Sequence, residues 1–245
     1  MRTRTSVLAT AHIVALAGLL LVSGCGPERQ SGPAGGAASR PSPSATSPTA
    51  VAAAPLSAAQ LKSLVFKVGE VPQDRGPLEA REPRPDAEGR TPRPVSVPAC
   101  RPLVDVRDSE DAHARVHQIF NWKKNIMGGA SLLASYEGDR AQRRFAELRK
   151  ALADCRSYEG EGYAGKFEVT VEEEKPPAVG DEAIAFRETI LVGADMGGFR
   201  SEQFTVVRTG GALAVFSELS VGSELSFPAE LIARQVDRLR NAQRP

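Results

Sequence analysis

Six segments with strand character lie between residues 115 and 219, and one helical stretch interrupts them. They run over 115–122, 129–136, 166–173, 182–191, 201–208 and 212–219, each rich in β-branched or aromatic residues and bounded by Gly, Pro or charged turns. Thr209-Gly210-Gly211 joins the last two as a tight hairpin. A parallel crossover needs a dozen or more residues, and apart from the helical stretch between 136 and 166 these connections are shorter. The pattern predicts an α+β domain: an antiparallel sheet of five to six strands with helices packed on one side.

Three helices accompany the strands. Ser57 caps a short one over 57–66, with Leu61, Leu64 and Val65 inward. Asp139 opens a longer one, where Ala141, Phe145, Leu148, Leu152 and Cys155 recur at spacings of four and three and share one stripe. Pro228 and Glu230 open the last, with Leu231, Ile232, Val236 and Leu239 on one face.

The N-terminal segment reads as an address. Arg2 and Arg4 precede an apolar run of about 16 residues from Val7 to Val22, short for a membrane span. The run ends in Val22-Ser23-Gly24-Cys25, which resembles the bacterial lipobox. The expected processing removes residues 1–24 as a signal peptide and leaves a diacylated Cys25 as the mature N-terminus. The alternatives are a plain signal peptide or an uncleaved anchor helix. Two acyl chains suffice for stable anchoring, where one is marginal. The chain is thus expected at the extracytoplasmic face of the cell membrane, held by its N-terminal lipid. Residues 25–56, dominated by Gly, Ala, Ser, Pro and Thr, cannot bury enough surface to offset ordering entropy and read as a flexible linker. The domain itself is expected over 57–245, with a Pro-rich extended loop at 72–98.

With Cys25 acylated, only Cys100 and Cys155 remain of three cysteines. A leftover pair in an exported chain reads as a disulfide. Two buried free thiols are the bland alternative, and without Cys-x-x-Cys spacing a redox pair is disfavoured.

The chemistry-bearing motifs are weak. His113 and His117 have the spacing of two ligands on a helix, but position 114 is Ala, where a zincin carries Glu. No Gly-x-Ser-x-Gly elbow occurs, and the glycine-rich stretch 193–198 carries Asp where a phosphate loop carries Lys. Glu172-Glu173-Glu174 beside Pro176-Pro177 reads as a solvated strand end. Trp122 and Tyr136, with Tyr158 and Tyr163, are candidates to line an apolar pocket. No catalytic residue, metal ligand or cofactor is assigned. With 31 basic and 30 acidic side chains, nothing supports a nucleic-acid partner bound through phosphate neutralisation.

In this order the pieces resemble bacterial lipoproteins related to the PknH-like extracellular sensor domain. The matching residues are the lipobox at Cys25, the segment 95–103 with Cys100, Ala134-Ser135-Tyr136 and Ala153-Asp154-Cys155. Val179-Gly180-Asp181-Glu182-Ala183, Val206-Val207-Arg208-Thr209-Gly210-Gly211 and Gln235 complete the run over about 57–242. The resemblance implies a sheet-and-helix domain with a cleft for a small-molecule, lipid or cell-wall ligand, signalling through a membrane protein partner. It also implies two disulfides, where this chain has cysteines for one. A non-catalytic sensing or binding module is the leading expectation, and an envelope hydrolase or a structural interaction lipoprotein the alternatives.

Replacing Cys25 by Ser is expected to abolish incorporation of labelled palmitate and release the chain from the membrane fraction, as read by fractionation of intact cells.

Overall fold

The computed structural model describes residues 54–78, 80–82, 95–162 and 165–244. The expected signal peptide, Cys25, most of the linker, residues 83–94 of the Pro-rich loop and Tyr163 lie outside them.

Eight strands form one antiparallel sheet in the order β1-β2-β3-β8-β7-β6-β5-β4. They are β1 (Ala80–Arg81), β2 (Ala114–Phe120), β3 (Gly129–Ser135), β4 (Ser157–Gly162), β5 (Gly165–Glu174), β6 (Glu182–Leu191), β7 (Phe199–Thr209) and β8 (Ala212–Val221). Six match the expected segments. The two additional strands occupy the two edges. β1 is a two-residue strand inside the region read as a Pro-rich loop, too short for any period to show. β4 is Ser-Tyr-Glu-Gly-Glu-Gly, whose glycines and glutamates are poor strand formers held in place by pairing with β5.

The helices are α1 (Ala58–Leu64), α2 (Arg101–Asp105), α3 (Arg140–Asp154) and α4 (Ala229–Ala242). Ser57 caps α1 through a full capping box with Gln60. Asp139 sits at the N-cap of α3 but makes no cap bond; its carboxylate pairs with Arg143 instead.

Helices cover both faces of the sheet, not one. On the first face α2 and α3 bring Leu103, Phe145, Leu148 and Leu152 against Leu132, Phe186, Phe204, Val206 and Leu213. On the second, α1 and α4 bring Leu61, Leu231, Val236 and Leu239 against Phe120, Leu133, Val207, Ala214 and Phe216. Neighbouring residues in one strand serve opposite cores, as Leu132 and Leu133 do. The physical sign was the unbroken apolar runs Leu132-Leu133-Ala134 and Ala212-Leu213-Ala214-Val215-Phe216, since a strand buried on both faces has no polar side to alternate with.

β5 belongs to two neighbours in turn. It pairs with β4 over Gly165–Thr170 and with β6 over Thr170–Glu174, sharing only Thr170. Beyond Thr170↔Thr189 the β4–β5 hairpin therefore peels away from β6, and the sheet opens as a fork. The outer edge of β4 is covered by Ser96, whose Oγ accepts from the Glu159 N–H at 2.7 Å.

Cys100 and Cys155 form a disulfide with Cα atoms 5.1 Å apart. It ties the residue before α2 to the junction between α3 and β4, and both cysteines are fully buried. Closing a loop with a sequence separation of 55 is worth about 4 kcal/mol in the chain-entropy model. The Cys100→Ala, Cys155→Ala double variant is expected to lose stability of that order, measured as a lower urea midpoint.

Candidate functional site

Where the fork opens, α3 no longer covers the first face, and a cleft of about 230 Å³ lies between α2 and the β4–β5 hairpin. Val104 and Arg107 line one wall, and Tyr158, Gly160 and Phe167 the other. Glu188 and Ile190 of β6 and Arg200 and Glu202 of β7 form the floor. Local sequence explains the walls. Val104 faces inward from α2, whose first turn starts at Arg101-Pro102, and the chain then turns so that Arg107 N–H donates to the Val104 carbonyl. Gly160 sits directly across from Phe167, and a Cβ there would meet the ring at 2.5 Å. The missing side chain lets the Phe167 ring lie flat across β4.

The polar centre is Arg107 with Glu188. Arg107 Nη2 donates to Glu188 Oε2 and, at 3.2 Å, to the Tyr158 hydroxyl, and the guanidinium stacks 4.5 Å from the Phe204 ring centroid. Glu188 is 5% exposed. Two atoms of this pair have no partner although both are buried: Arg107 Nε, a donor, and Glu188 Oε1, an acceptor. Burial works against the charge on Arg107, but Glu188, Tyr158 and Glu202 together offset it and raise its pKa. Burial also pushes the Tyr158 phenol well above its usual value, with Arg107 opposing, so it stays protonated and remains a donor. Arg200 and Glu202 pair at 3.4 Å on the outer floor. The lining thus combines paired charges, a buried donor and a buried acceptor that lack partners, and an apolar wall, which suits reversible recognition of a polar ligand.

The sequence candidates fall elsewhere. Trp122 and Tyr136 lie on opposite faces of the sheet and do not meet. Trp122 stacks on Phe120 with centroids 5.0 Å apart and donates to Glu218, which Asn125 Nδ2 also reaches at 2.7 Å. Burial raises the Glu218 pKa, with both bonds opposing. Tyr136, its pKa pushed by burial up to about 12, lines a cavity of about 20 Å³, room for one water. It also borders a depression of about 290 Å³ where the chain enters at Ala54 and Pro55, but Gln243 and Arg208 there are already bonded. Among the described residues Tyr158 is the one aromatic candidate that reaches the cleft.

His117 lies in β2 and His113 at the bend just before it, so the pair does not share the helical face that its spacing suggested. His113 Nδ1 is 3.3 Å from the exposed Glu137, while His117 is half-buried, its Nε2 unpartnered and its pKa lowered by desolvation. Neither lines the cleft. No group of metal-ligating side chains occurs among the described residues. Among them no helix is long and apolar enough to cross a membrane.

Arg107 and Glu188 were missed. Glu188 did leave a trace: Arg187-Glu188 is a pair of opposite charges inside a strand, between Ala183-Ile184-Ala185-Phe186 and Ile190-Leu191. Its two members turn to opposite faces, Arg187 to bind Glu174, Ser201 and the Leu225 carbonyl and Glu188 to face the cleft.

Solved structures place this geometry in context. The extracellular domain of PknH from Mycobacterium tuberculosis is similar to this chain at a TM-score of 0.54 and 15% identity, covering 77% of this chain and 98% of that one. The chain therefore has the fold of that extracellular domain. An uncharacterised protein of Mycobacterium smegmatis aligns over 76% of this chain and 92% of its own at 13% identity, with a TM-score of 0.32. No family model matches the chain, and no curated protein is similar to it in sequence.

Arg107→Met leaves the Glu188 carboxylate buried without its partner, which is expected to cost about 3–5 kcal/mol. The double variant Arg107→Met, Glu188→Leu is expected to recover most of that loss in urea unfolding, as for an ion pair that serves the site more than the stability.

Proposed function

We propose that this chain is a non-catalytic ligand-binding or sensing module of the cell envelope, displayed on the extracytoplasmic face by a lipid on Cys25. The observation that carries the reading is the cleft between α2 and the β4–β5 hairpin, with Arg107 Nε and Glu188 Oε1 buried and unpartnered at its inner end. Leaving polar atoms unsatisfied costs about 1–3 kcal/mol each, a cost that a ligand bearing both donor and acceptor removes. A nucleophile and its base are not what the lining offers: its ionisable groups are two arginines, three glutamates and a tyrosine kept protonated.

Two further observations support the location. A buried disulfide persists in oxidising compartments. The fold is that of a domain solved as an extracellular one. The packed core starts at Leu56, whose N–H donates to Ser135 Oγ at 2.8 Å, 31 residues after the lipobox cysteine. Those residues are the tether in this reading. A membrane protein partner would receive the signal, since the lipid itself reaches only one leaflet.

Native mass spectrometry of the full chain, extracted in detergent from its own host, is expected to show a non-covalent small-molecule adduct. Ile190→Trp, which fills the floor of the cleft, is expected to remove it. An adduct that survives the filled cleft, or none at all, would overturn the assignment.

A further inference from the structure

The direction of the main chain at the fork says what kind of ligand the cleft suits. Successive residues of an antiparallel strand point their N–H and C=O groups alternately to one neighbour and the other. Val171 N–H donates to the Arg156 carbonyl at 2.8 Å, so the main chain of Val171 points toward β4. Val169, Phe167 and Gly165 point the same way by alternation. Lys166 and Glu168 therefore point away from β4, to the side from which β6 has departed. On β6, Val192 N–H donates across to the Gly198 carbonyl at 3.1 Å, so Ile190 and Glu188 also direct their main chain to β7. Leu191 then directs its own into the fork. Among the described residues Lys166, Glu168 and Leu191 have no ladder partner on that side.

An open edge inside a sheet is unlike an open edge at its rim. The rim of β4 is blunted by Ser96, while the inner edge of β5 stays free alongside the cleft. At the inner end of the same opening stand the unpartnered donor Arg107 Nε and acceptor Glu188 Oε1. A peptide group carries one acceptor and one donor and repeats them at the spacing of a strand. The apolar residues Phe167, Val169 and Ile190 line the same opening for alternate side chains. At about 230 Å³ the cleft is smaller than the roughly 300–1,000 Å³ of sites for drug-sized ligands, so the segment must be short.

We propose that the ligand of this cleft is a short extended peptide that pairs with the inner edge of β5 through Lys166 and Glu168. A peptide group at its inner end satisfies Arg107 Nε and Glu188 Oε1. This is strand addition inside a sheet: the main chain supplies affinity and the cleft wall supplies selectivity. The inference rests on the cleft being the ligand site.

The test is amide-resolved hydrogen exchange on the full chain in detergent, with a pool of randomised tetrapeptides blocked by acetyl and amide groups. Exchange at Lys166, Glu168 and Leu191 is expected to slow at least tenfold, and that at Phe167 and Val169, already paired with β4, to stay unchanged. A matched pool N-methylated at every residue is expected to give no protection. Glu168→Pro removes an N–H that the fold leaves unused and is expected to weaken protection at Lys166 and Leu191 at least tenfold. The Trp122 fluorescence of that variant should report an unchanged urea midpoint. Equal protection by both pools would overturn the proposal. So would perturbation of the Arg107 Nε signal by free alanine or N-acetylglucosamine with no protection at Lys166 and Glu168, which keeps the cleft as a ligand site of another kind. Silence of every probe, joined to adduct-free mass spectra, would remove both readings.

Discussion

The Cys100–Cys155 disulfide is the constraint on which the geometry of the cleft depends. One of its sulfurs stands at the start of α2, which leads to Val104 and Arg107; the other stands three residues before Tyr158. The two walls of the cleft therefore hang from one covalent bond. Arg107 and Glu188 are 81 residues apart in sequence and meet because that bond holds α2 over the end of the sheet that α3 leaves bare. Without it, the short α2 would rest on Leu103, Val104 and Val106, a small apolar area for holding a five-residue helix in register.

The sheet divides its labour along its width. Its middle, β3, β8 and β7, is buried on both faces and supplies the rigid centre, with Leu133, Leu213, Phe216, Val206 and Val207 fully buried. Its β4–β5 end is rich in glycine and glutamate and curves away from β6 once Thr170 has paired. The cleft is a by-product of that divergence. On the opposite face Arg187, bonded to Glu174, Ser201 and the Leu225 carbonyl, pins the chain after β8. The contrast with the half-satisfied Arg107–Glu188 pair separates structure from site on a single strand.

Much of the fold was legible. Six of eight strands, α1, α3 and α4, the hairpin at Gly210 and the sulfur pairing all announce themselves through short-range signals: period, caps, turn glycines and a cysteine count. The site was hardly legible at all. Tyr158 was named only as one aromatic among four, and Trp122 drew attention as the sole tryptophan although its indole closes the core between Phe120 and Phe227. Rarity of a residue type says nothing about the face of the sheet to which it will turn.

The chain by itself determined that it would make an antiparallel sheet with amphipathic helices and a single staple, because those features follow from spacings of a few residues and from composition. Only the tertiary structure decided that helices cover both faces, that β4 closes one edge, that β5 parts from β6 at Thr170 and that Arg107 meets Glu188. Each of these rests on the register between segments tens of residues apart. Register is set by how whole faces pack, and no local window of the sequence contains that information.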